Sequence, residues 1–315
     1  MPLRRLGRTD LQIPPLVFGG NVFGWTADKA TSFALLDRLA EAGLNAIDTA
    51  DIYSHWAPGN KGGESETIIG EWLKTSGKRG STTIITKCGA PSSPNKGLSA
   101  SAIAQSCEAS LKRLGVETID LYLSHFPDAA TPYEETLEAF ARLQKAGKVR
   151  WFGASNLDAA MLRASLDAAK ASGLPRYDVL QPEYNLYDRP SYEGPLRDLC
   201  VAEEIGVITY FSLAKGFLSG KYRSEADLGQ SPRGGGVKAY LNPRGFRILA
   251  ALDAIAGRLG AKPAEVALAW TAQAPGVTAP IASATKLDQL ESLIKAASLT
   301  LSREDFTALE AASAA

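Results

Sequence analysis

Short apolar runs alternate along the chain with longer segments in which apolar residues recur every three or four positions. The short runs are rich in Val, Ile and Leu and predict β-strands, whereas the longer amphipathic segments predict helices. The predicted strands are 16–20, 45–48, 82–87, 119–124, 149–154, 179–182, 207–210 and 277–281. The predicted helices are 28–42, 64–74, 99–114, 132–146, 158–171, 193–204, 245–259 and 287–297.

Regular alternation of strand and helix predicts an α/β fold with a parallel sheet and helices outside it. Eight such units are the number that closes a (β/α)8 TIM barrel. The alternative is an open dinucleotide-binding sheet, which usually has G-x-G-x-x-G after its first strand. Residues 19–24 do not match that motif, and no predicted helix begins there. We therefore expect residues 1–315 to form a single barrel domain.

Two segments lie outside the alternation. Residues 3–13 have the pattern of a small hairpin that turns at residues 7–10, and we expect it to close the bottom of the barrel. Residues 222–244 are rich in Gly and Pro and predict a long loop after the seventh barrel strand. A loop of this length is usually functional or mobile, and this one follows a strand on the catalytic face.

The composition narrows the class of protein. Apolar residues make up 45% and charged residues 22%, as in an ordinary globular chain. Lys plus Arg and Asp plus Glu both number 34, so the chain lacks the basic surplus of a nucleic-acid binder. No run of about 18 apolar residues predicts a membrane span, and the N-terminus lacks the pattern of a signal peptide.

The remaining composition bears on compartment and metal content. Three widely spaced cysteines indicate a reducing compartment rather than a disulfide framework. We therefore expect a cytoplasmic protein. Only two histidines occur, and neither shows metal-ligand spacing, so we expect no metal.

Four polar side chains stand at or just beyond the ends of three neighbouring predicted strands. Asp48 ends the second strand and Tyr53 follows five residues later, while Lys87 ends the third strand and His125 follows the fourth. Reactive side chains of (β/α)8 barrels gather at the C-terminal ends of the strands, so these four can converge. A buried lysine needs an anionic partner, which Asp48 can supply.

Together these side chains have the parts of a proton-delivery device. A phenol has an ordinary pKa of about 10 and is a poor acid at neutral pH. An ammonium group such as that of Lys87 stabilises the phenolate and makes the phenol a better acid. Tyr53 would then act as general acid or base, and His125 would hydrogen-bond and orient a carbonyl oxygen. This chemistry suits reduction of a carbonyl by a hydride donor.

The motif Asp-Thr-Ala-Asp-Ile-Tyr at 48–53, Lys87, and His-Phe-Pro-Asp at 125–128 resemble the aldo-keto reductase superfamily. Further matches are Gly-Ala-Ser-Asn at 153–156, Gln-Pro-Glu-Tyr-Asn at 181–185 and the stretch 213–222. The motifs fall in order at the ends of different strands and span nearly the whole chain. The resemblance is strongest to the bacterial branch related to potassium-channel β subunits.

This resemblance implies reduction of aldehydes or ketones with NADP(H), bound extended, and a catalytic tetrad of Tyr53, Asp48, Lys87 and His125. Ser155, Asn156 and Gln181 would hold the nicotinamide carboxamide, and Tyr210 would stack on the nicotinamide ring. The residues implied for the cofactor are Gly20, Asn21, Ser155, Asn156, Gln181, Tyr210, Ser212, Leu213, Gly216, Lys221, Ser283, Thr285, Lys286 and Gln289.

The chain departs from the family pattern at the adenosine end. Ser283 and Gln289 stand where many members have a basic residue for the 2′-phosphate, and Lys286 is the nearest cation. Leu293 stands where an asparagine often contacts adenine. We therefore expect NADP(H), with NAD(H) left open as a second cofactor.

Aromatic residues cluster in the loops that would form the pocket mouth. They predict a small carbonyl substrate that is apolar or carries a ring. The residues concerned are Phe23, Trp25, His55, Trp56 and Phe126.

Two other functions remain open at this stage. The channel-subunit resemblance allows a nucleotide-binding regulatory subunit with slow residual reductase activity and a protein partner. A lyase using Lys87 as a Schiff-base amine is disfavoured, because Asp48 would keep that lysine charged. The family contains monomers and oligomers, so the resemblance leaves a homo-oligomer open.

Overall fold

The computed structural model describes residues 2–232 and 234–314, and its central feature is a closed barrel of eight parallel strands. The barrel strands follow one another in chain order, and the last pairs with the first. The predicted (β/α)8 barrel is therefore confirmed, and each predicted strand lies within two residues of an observed one. The strands are β1 (Arg4–Arg5) and β2 (Gln12–Ile13) outside the barrel, and β3 (Val17–Gly19), β4 (Ala46–Asp48), β5 (Thr83–Cys88), β6 (Ile119–Ser124), β7 (Val149–Ser155), β8 (Val179–Gln181), β9 (Gly206–Thr209) and β10 (Ala279–Ala282) within it.

Amphipathic helices surround the barrel and bury their apolar faces against it. Several begin at a side chain that accepts a hydrogen bond from the first turn, as Ser99 does from the Ala102 N–H. The helices are α1 (Lys29–Glu41), α2 (Glu64–Ser76), α3 (Ala100–Leu114), α4 (Tyr133–Lys145), α5 (Ala159–Ser172), α6 (Pro195–Ala202), α7 (Pro243–Leu259), α8 (Pro263–Gln273), α9 (Leu287–Ser298) and α10 (Arg303–Ser313).

Two of these helices, α8 and α10, were not predicted. In α8, every residue from 265 to 271 is buried, so the segment has no exposed polar face to mark the helical period. The C-terminal α10 begins at a Ser302 cap and packs against α7. The seventh and eighth barrel strands are therefore each followed by two helices rather than one.

The predicted N-terminal hairpin is confirmed, with β1 and β2 paired antiparallel. Its apolar residues Leu6, Leu11 and Ile13 are buried together with the side chains that fill the barrel interior. Gly7 has a φ of +56°, and a Cβ there would lie 2.3 Å from the Gly206 backbone nitrogen at the start of β9. Glycine is required where the hairpin closes the N-terminal end of the barrel so tightly.

The segment predicted as a long irregular loop is more ordered than expected. Between β9 and α7 the chain forms short 3-10 segments at Glu225–Gln230 and Gly234–Tyr240. Tyr240 is largely buried and donates a hydrogen bond to Asp188 Oδ2, which ties the loop to the loop after β8. Within the two described ranges, no helix has both the length and the apolar character needed to cross a membrane.

Candidate active site

Strand ends gather the four predicted catalytic side chains at one face of the barrel. Asp48 is the last residue of β4, and Lys87 is the penultimate residue of the adjacent β5. His125 follows the end of β6, which pairs with β5, and Tyr53 lies in the loop after β4. The three strands are neighbours, so their C-terminal ends bring these residues to one place.

The Lys87 ammonium is the centre of the cluster. Lys87 Nζ lies 2.6 Å from Asp48 Oδ1, 2.7 Å from the Thr49 carbonyl oxygen and 2.9 Å from the Tyr53 hydroxyl. Its side chain is fully buried, and this burial lowers the pKa of Lys87, whereas Asp48 opposes the shift. Three acceptors match the three N–H donors of an ammonium, so the geometry favours the charged form.

The Tyr53 hydroxyl bridges the ion pair. It accepts the hydrogen bond from Lys87 and donates one of 3.2 Å to Asp48 Oδ1. The ammonium also lies 4.6 Å from the centre of the phenol ring. A phenol held this close to a buried ammonium can lose its proton more readily than one in water, because the positive charge stabilises the phenolate.

His125 lies beside the phenol with its ring edge-on, and the two ring centres are 6.0 Å apart. Burial, with a contribution from the Lys87 charge, holds the pKa of His125 well below its usual range. Its Nδ1 is buried and has no hydrogen-bond partner among the described residues. The ring is therefore neutral near pH 7 and carries one N–H donor.

The amide side chains predicted to hold a carboxamide lie next to this cluster. Gln181 Nε2 donates to Asp48 Oδ2 at 2.8 Å, and Asn156 Nδ2 donates to the His125 carbonyl oxygen at 2.8 Å. Ser155 donates its hydroxyl proton to the Gln181 carbonyl oxygen, and Tyr210 donates to Asn156 Oδ1 at 2.6 Å. The structure thus connects all four residues to the tetrad by hydrogen bonds.

The loop after β9 places backbone and cations beyond Tyr210. Leu213 and Gly216 are half-buried and Lys221 is exposed, so all three have surface on this face. A Cβ at Gly216 would make only ordinary van der Waals contacts, at 3.8 Å from Tyr222 and 3.9 Å from Lys221. Ser212 differs: it is buried, and its hydroxyl donates to the Thr209 carbonyl oxygen, so its side chain is committed within the loop.

The segment after β10 lies beside the first barrel strand. Ser283 donates to Asn21 Oδ1 at 2.7 Å, and a Cβ at Gly19, one residue before Gly20, would lie 2.6 Å from the Ser283 hydroxyl. Gln289 Oε1 accepts from the Thr285 backbone N–H at 2.9 Å.

Lys286 and Leu293, further along the chain after β10, differ in their exposure. Lys286 is exposed at the start of α9, and none of the described carboxylates lies within 4 Å of it. Leu293 is buried in the core, so it has no surface for an adenine ring.

A chain of aromatic rings extends from Tyr53 through Trp56. Trp56 lies 6.0 Å from Tyr53, 5.6 Å from Trp25 and 5.2 Å from His55, measured between ring centres. Phe126 stacks on His125 at 4.8 Å and is 37% exposed, and Trp56 is 41% exposed.

Phe23 does not belong to this group, and the prediction for it is wrong. It is fully buried and stacks on Phe18 in the core, 5.5 Å between ring centres. The residue types around Phe23 do not indicate which side chains of this loop turn inward. Within the described ranges, no group of three or more His, Cys, Asp or Glu side chains is arranged to hold a metal ion.

Comparison with known proteins identifies the family. The model of the Aldo/keto reductase family matches residues 15–314. The chain belongs to this family. It is 34% identical over 311 residues to "Uncharacterized oxidoreductase YrpG" of Bacillus subtilis, covering 95% of this chain and 92% of the relative. It is 30% identical over 341 residues to "Protein tas" of Escherichia coli, covering 99% and 97%.

A plant relative carries a different name. The chain is 33% identical over 307 residues to "Probable voltage-gated potassium channel subunit beta" of Arabidopsis thaliana, covering 94% of this chain and 91% of the relative. The predicted resemblance to aldo-keto reductases and to channel β subunits is therefore confirmed. Membership of the aldo/keto reductase family supports an oxidoreductase activity.

Two residues to which the sequence assigns no site role, Phe211 and Lys215, lie in the loop that follows Tyr210. Phe211 is 38% exposed next to Tyr210 and has a φ of +51°, which is unusual for a bulky residue. Lys215 places its ammonium 5.4 Å from the centre of the Phe211 ring. Neither backbone conformation nor this ring contact leaves a pattern in the sequence, so only the structure reveals the pair.

Proposed function

We propose that this protein is an NADP(H)-dependent oxidoreductase that reduces aldehydes or ketones to alcohols by hydride transfer, with Tyr53 as general acid and base. The observation that carries the proposal is the 2.9 Å contact between Lys87 Nζ and the Tyr53 hydroxyl within a buried ion pair. An aromatic hydroxyl held this way is a proton donor placed at the C-terminal mouth of the barrel.

The side chains of this face fit a nicotinamide dinucleotide by their chemistry. The amides of Asn156 and Gln181 match a carboxamide, and the half-buried Tyr210 ring matches a flat heterocycle. Lys215 and Lys221 offer positive charge for a diphosphate, because none of the described carboxylates lies within 4 Å of either ammonium. The residues we assign to the cofactor also include Gly20, Asn21, Leu213, Gly216, Ser283, Thr285, Lys286 and Gln289.

The choice between NADP(H) and NAD(H) depends on Lys286. It is exposed and is the one cation within residues 281–289, the segment we assign to the adenosine end. Ser283 and Gln289 have neutral side chains, so neither supplies positive charge for a 2′-phosphate. Ser283 is hydrogen-bonded to Asn21 and Gln289 to Thr285. One exposed lysine favours NADP(H), and we expect weaker use of NAD(H).

When bound, reduced nicotinamide supplies a hydride to the carbonyl carbon. The neutral His125 ring donates a hydrogen bond to the carbonyl oxygen and orients it. The Tyr53 hydroxyl gives its proton to the same oxygen as negative charge develops there. Lys87 stabilises the phenolate that remains, and Asp48 holds Lys87 in place. Hydride on carbon and proton on oxygen together give the alcohol, and the reverse sequence oxidises it.

The substrate class follows from the mouth of the pocket. Trp56 lies next to the Tyr53 ring, Trp25 and His55 pack against Trp56, and Phe126 stacks on His125. We therefore propose a small carbonyl compound that is apolar or carries a ring.

The three buried free cysteines Cys88, Cys107 and Cys200 fit a reducing compartment, so we propose the cytoplasm as the place of action.

Titration of the purified protein tests the cofactor directly. Nicotinamide fluorescence is followed while NADPH or NADH is added, and oxidation of the bound NADPH is then followed after adding 4-nitrobenzaldehyde. We expect saturable NADPH binding, weaker NADH binding, and turnover. Absence of binding by both nucleotides would contradict the proposal.

A second candidate is a regulatory nucleotide-binding subunit, favoured by the likeness to the Arabidopsis protein named for a potassium channel. It predicts tight NADPH binding, very slow turnover with every aldehyde and a stable complex with a protein partner. Fast turnover in the same titration argues against it. The buried ion pair beside Tyr53 favours the enzyme, because a nucleotide-binding role alone does not require it.

A further inference from the structure

Behind the Tyr53 cluster lies a second carboxyl group, that of Asp51, which the proposed mechanism does not use. Asp51 is 7% exposed, and only one of its carboxyl oxygens is hydrogen-bonded, to the Ser93 hydroxyl at 3.0 Å. The other, Oδ1, is buried and has no partner among the described residues. An ionised carboxylate in such a place is costly, because burial removes water without supplying donors.

The backbone fixes Asp51 against the strand that carries Lys87. The Asp51 backbone N–H donates to the Lys87 carbonyl oxygen at 3.1 Å. Asp51 also lies between the two ends of the motif that supplies Asp48 and Tyr53. The Asp51 carboxylate also opposes, by its charge, the lowering of the pKa of Lys87, so a change in the Asp51 charge is felt by the ammonium that contacts the Tyr53 hydroxyl.

The charged groups that face Asp51 come from three elements. Glu66 of α2 is fully buried, accepts from the Thr86 hydroxyl at 2.6 Å and from Arg113 Nε of α3 at 2.7 Å. Lys87 of β5 attracts the Asp51 charge and Glu66 repels it. Two other titratable groups, Cys88 of β5 and Tyr122 of β6, are also buried there.

The balance of these charges depends on one proton. Lys87 and Arg113 offset Asp48 and Glu66, so the cluster is neutral only when Asp51 is protonated. Burial, with repulsion from Glu66, raises the pKa of Asp51 to about 6. Below that pH the carboxyl is neutral, and above it the cluster carries one excess negative charge close to Lys87.

We propose that Asp51 is a positioning residue whose buried carboxyl controls how strongly the Lys87 ammonium acts on the Tyr53 hydroxyl. This inference rests on the proposed function. When Asp51 is ionised, it shares the Lys87 charge, so the phenolate of Tyr53 is less stabilised and Tyr53 is a weaker acid. Carbonyl reduction should then slow as pH rises through about 6.

The test compares Asp51→Asn, which is neutral at every pH, with Asp178→Asn as matched control. Asp178 is a second partly buried aspartate with a raised pKa, but it precedes β8 at the opposite end of the barrel. We measure kcat for NADPH-dependent reduction of 4-nitrobenzaldehyde between pH 5 and 8. Wild type and Asp178→Asn should both lose roughly threefold or more of kcat in a step near pH 6, and Asp51→Asn should lack the step.

Two outcomes overturn the inference: a wild-type profile with no step near pH 6, or a step that persists in Asp51→Asn, so that the kcat of the variant falls below that of wild type by the same factor at every pH. The last would mark Asp51 as merely structural. His125 does not give the step, because its pKa lies well below its usual range.

A second readout needs no turnover. In protein labelled with carboxyl-13C aspartate, the signal missing from Asp51→Asn belongs to Asp51, and its titration midpoint should lie near pH 6. A midpoint near 4 overturns the inference whether or not the protein reduces carbonyls. Absence of turnover with a midpoint near 6 would instead count against the proposed function alone.

Discussion

Gln181 donates a hydrogen bond of 2.8 Å from its side-chain amide to Asp48 Oδ2, and the two residues come from opposite walls of the barrel. β4 and β8 are four strands apart in a ring of eight, so only side chains that cross the C-terminal mouth can meet. Asp48 thus holds Lys87 with one oxygen and Gln181 with the other. The residue that we assign to the nicotinamide and the residue that fixes the ammonium are therefore in direct contact.

Gln181→Leu should weaken NADPH binding and slow turnover together. The change removes the hydrogen bond to Asp48 and the amide that we assign to the carboxamide, so a loss of about tenfold in affinity is expected. Gln273→Leu is the matched control, because Gln273 hydrogen-bonds only to the Ala269 carbonyl oxygen and the Leu301 backbone N–H, among the described residues, and touches none of the residues assigned to the cofactor. Nicotinamide fluorescence measures both. Unchanged affinity in Gln181→Leu would remove this residue from the cofactor site.

Lys87→Met should lose activity and stability at once. It leaves Asp48 buried without its cation, which typically costs about 3–5 kcal/mol in the free energy of unfolding. Urea unfolding followed by circular dichroism measures this loss. The double variant Asp48→Leu, Lys87→Met should recover part of the stability, because no unpaired charge remains, while staying inactive. A single variant as stable as wild type would mean that the pair is not buried as described.

The barrel and the meeting of Asp48, Tyr53, Lys87 and His125 at one face of it could be predicted from the sequence. All strands of a parallel barrel run in the same direction, so their C-terminal ends lie at one face. Asp48, Lys87 and His125, at the ends of neighbouring strands, therefore had to lie close together. The alternation of short apolar runs and amphipathic segments gave the strands within two residues. Helix α8 was not predicted, because burial on all sides removes the polar face on which helix prediction depends.

Side-chain direction within loops could not be predicted. Phe23 and Trp25 are two residues apart in one loop, yet Phe23 is fully buried and Trp25 contacts Trp56 at the mouth. Phe211 is exposed because its backbone adopts a positive φ, which no residue-type preference indicates for phenylalanine. The raised pKa of Asp51 depends on its burial and on which of its carboxyl oxygens accept hydrogen bonds. Both are decided only by tertiary packing.

Trp56→Ala should reduce the preference for substrates that carry a ring. An aromatic contact typically contributes about 0.5–1.5 kcal/mol, so KM for 4-nitrobenzaldehyde should rise roughly two- to twelvefold. KM for propanal, which has no ring, should change little. Leu259→Ala removes an exposed apolar side chain at the far end of α7 and serves as control. Equal effects on both aldehydes would argue against Trp56 as a substrate contact.

Asp51→Asn should stabilise the protein at neutral and alkaline pH. Because the pKa of Asp51 is raised to about 6, the folded state holds this proton more tightly than the unfolded state does. Wild type therefore loses stability relative to the variant as pH rises from about 4 to 6, and the gap reaches about 3 kcal/mol above pH 7.

Urea unfolding at pH 4.5 and pH 8 measures this gap. Asp167→Asn is the control, since Asp167 is exposed on α5 and should show no such pH-dependent gain. A gain for Asp51→Asn that is the same at both pH values would show that the carboxyl does not change its charge in this range.

Hydride transfer in Tyr53→Phe, followed in a single turnover, tests the central claim most directly. NADPH is bound first, 4-nitrobenzaldehyde is added, and loss of nicotinamide absorbance at 340 nm is recorded. Tyr192→Phe is the control, because it removes a buried hydroxyl that has no partner among the described residues. We predict that Tyr53→Phe still binds NADPH but transfers hydride roughly 10²–10⁴-fold more slowly, while Tyr192→Phe matches wild type. Transfer at the wild-type rate by Tyr53→Phe would contradict the assignment of Tyr53 as the proton donor.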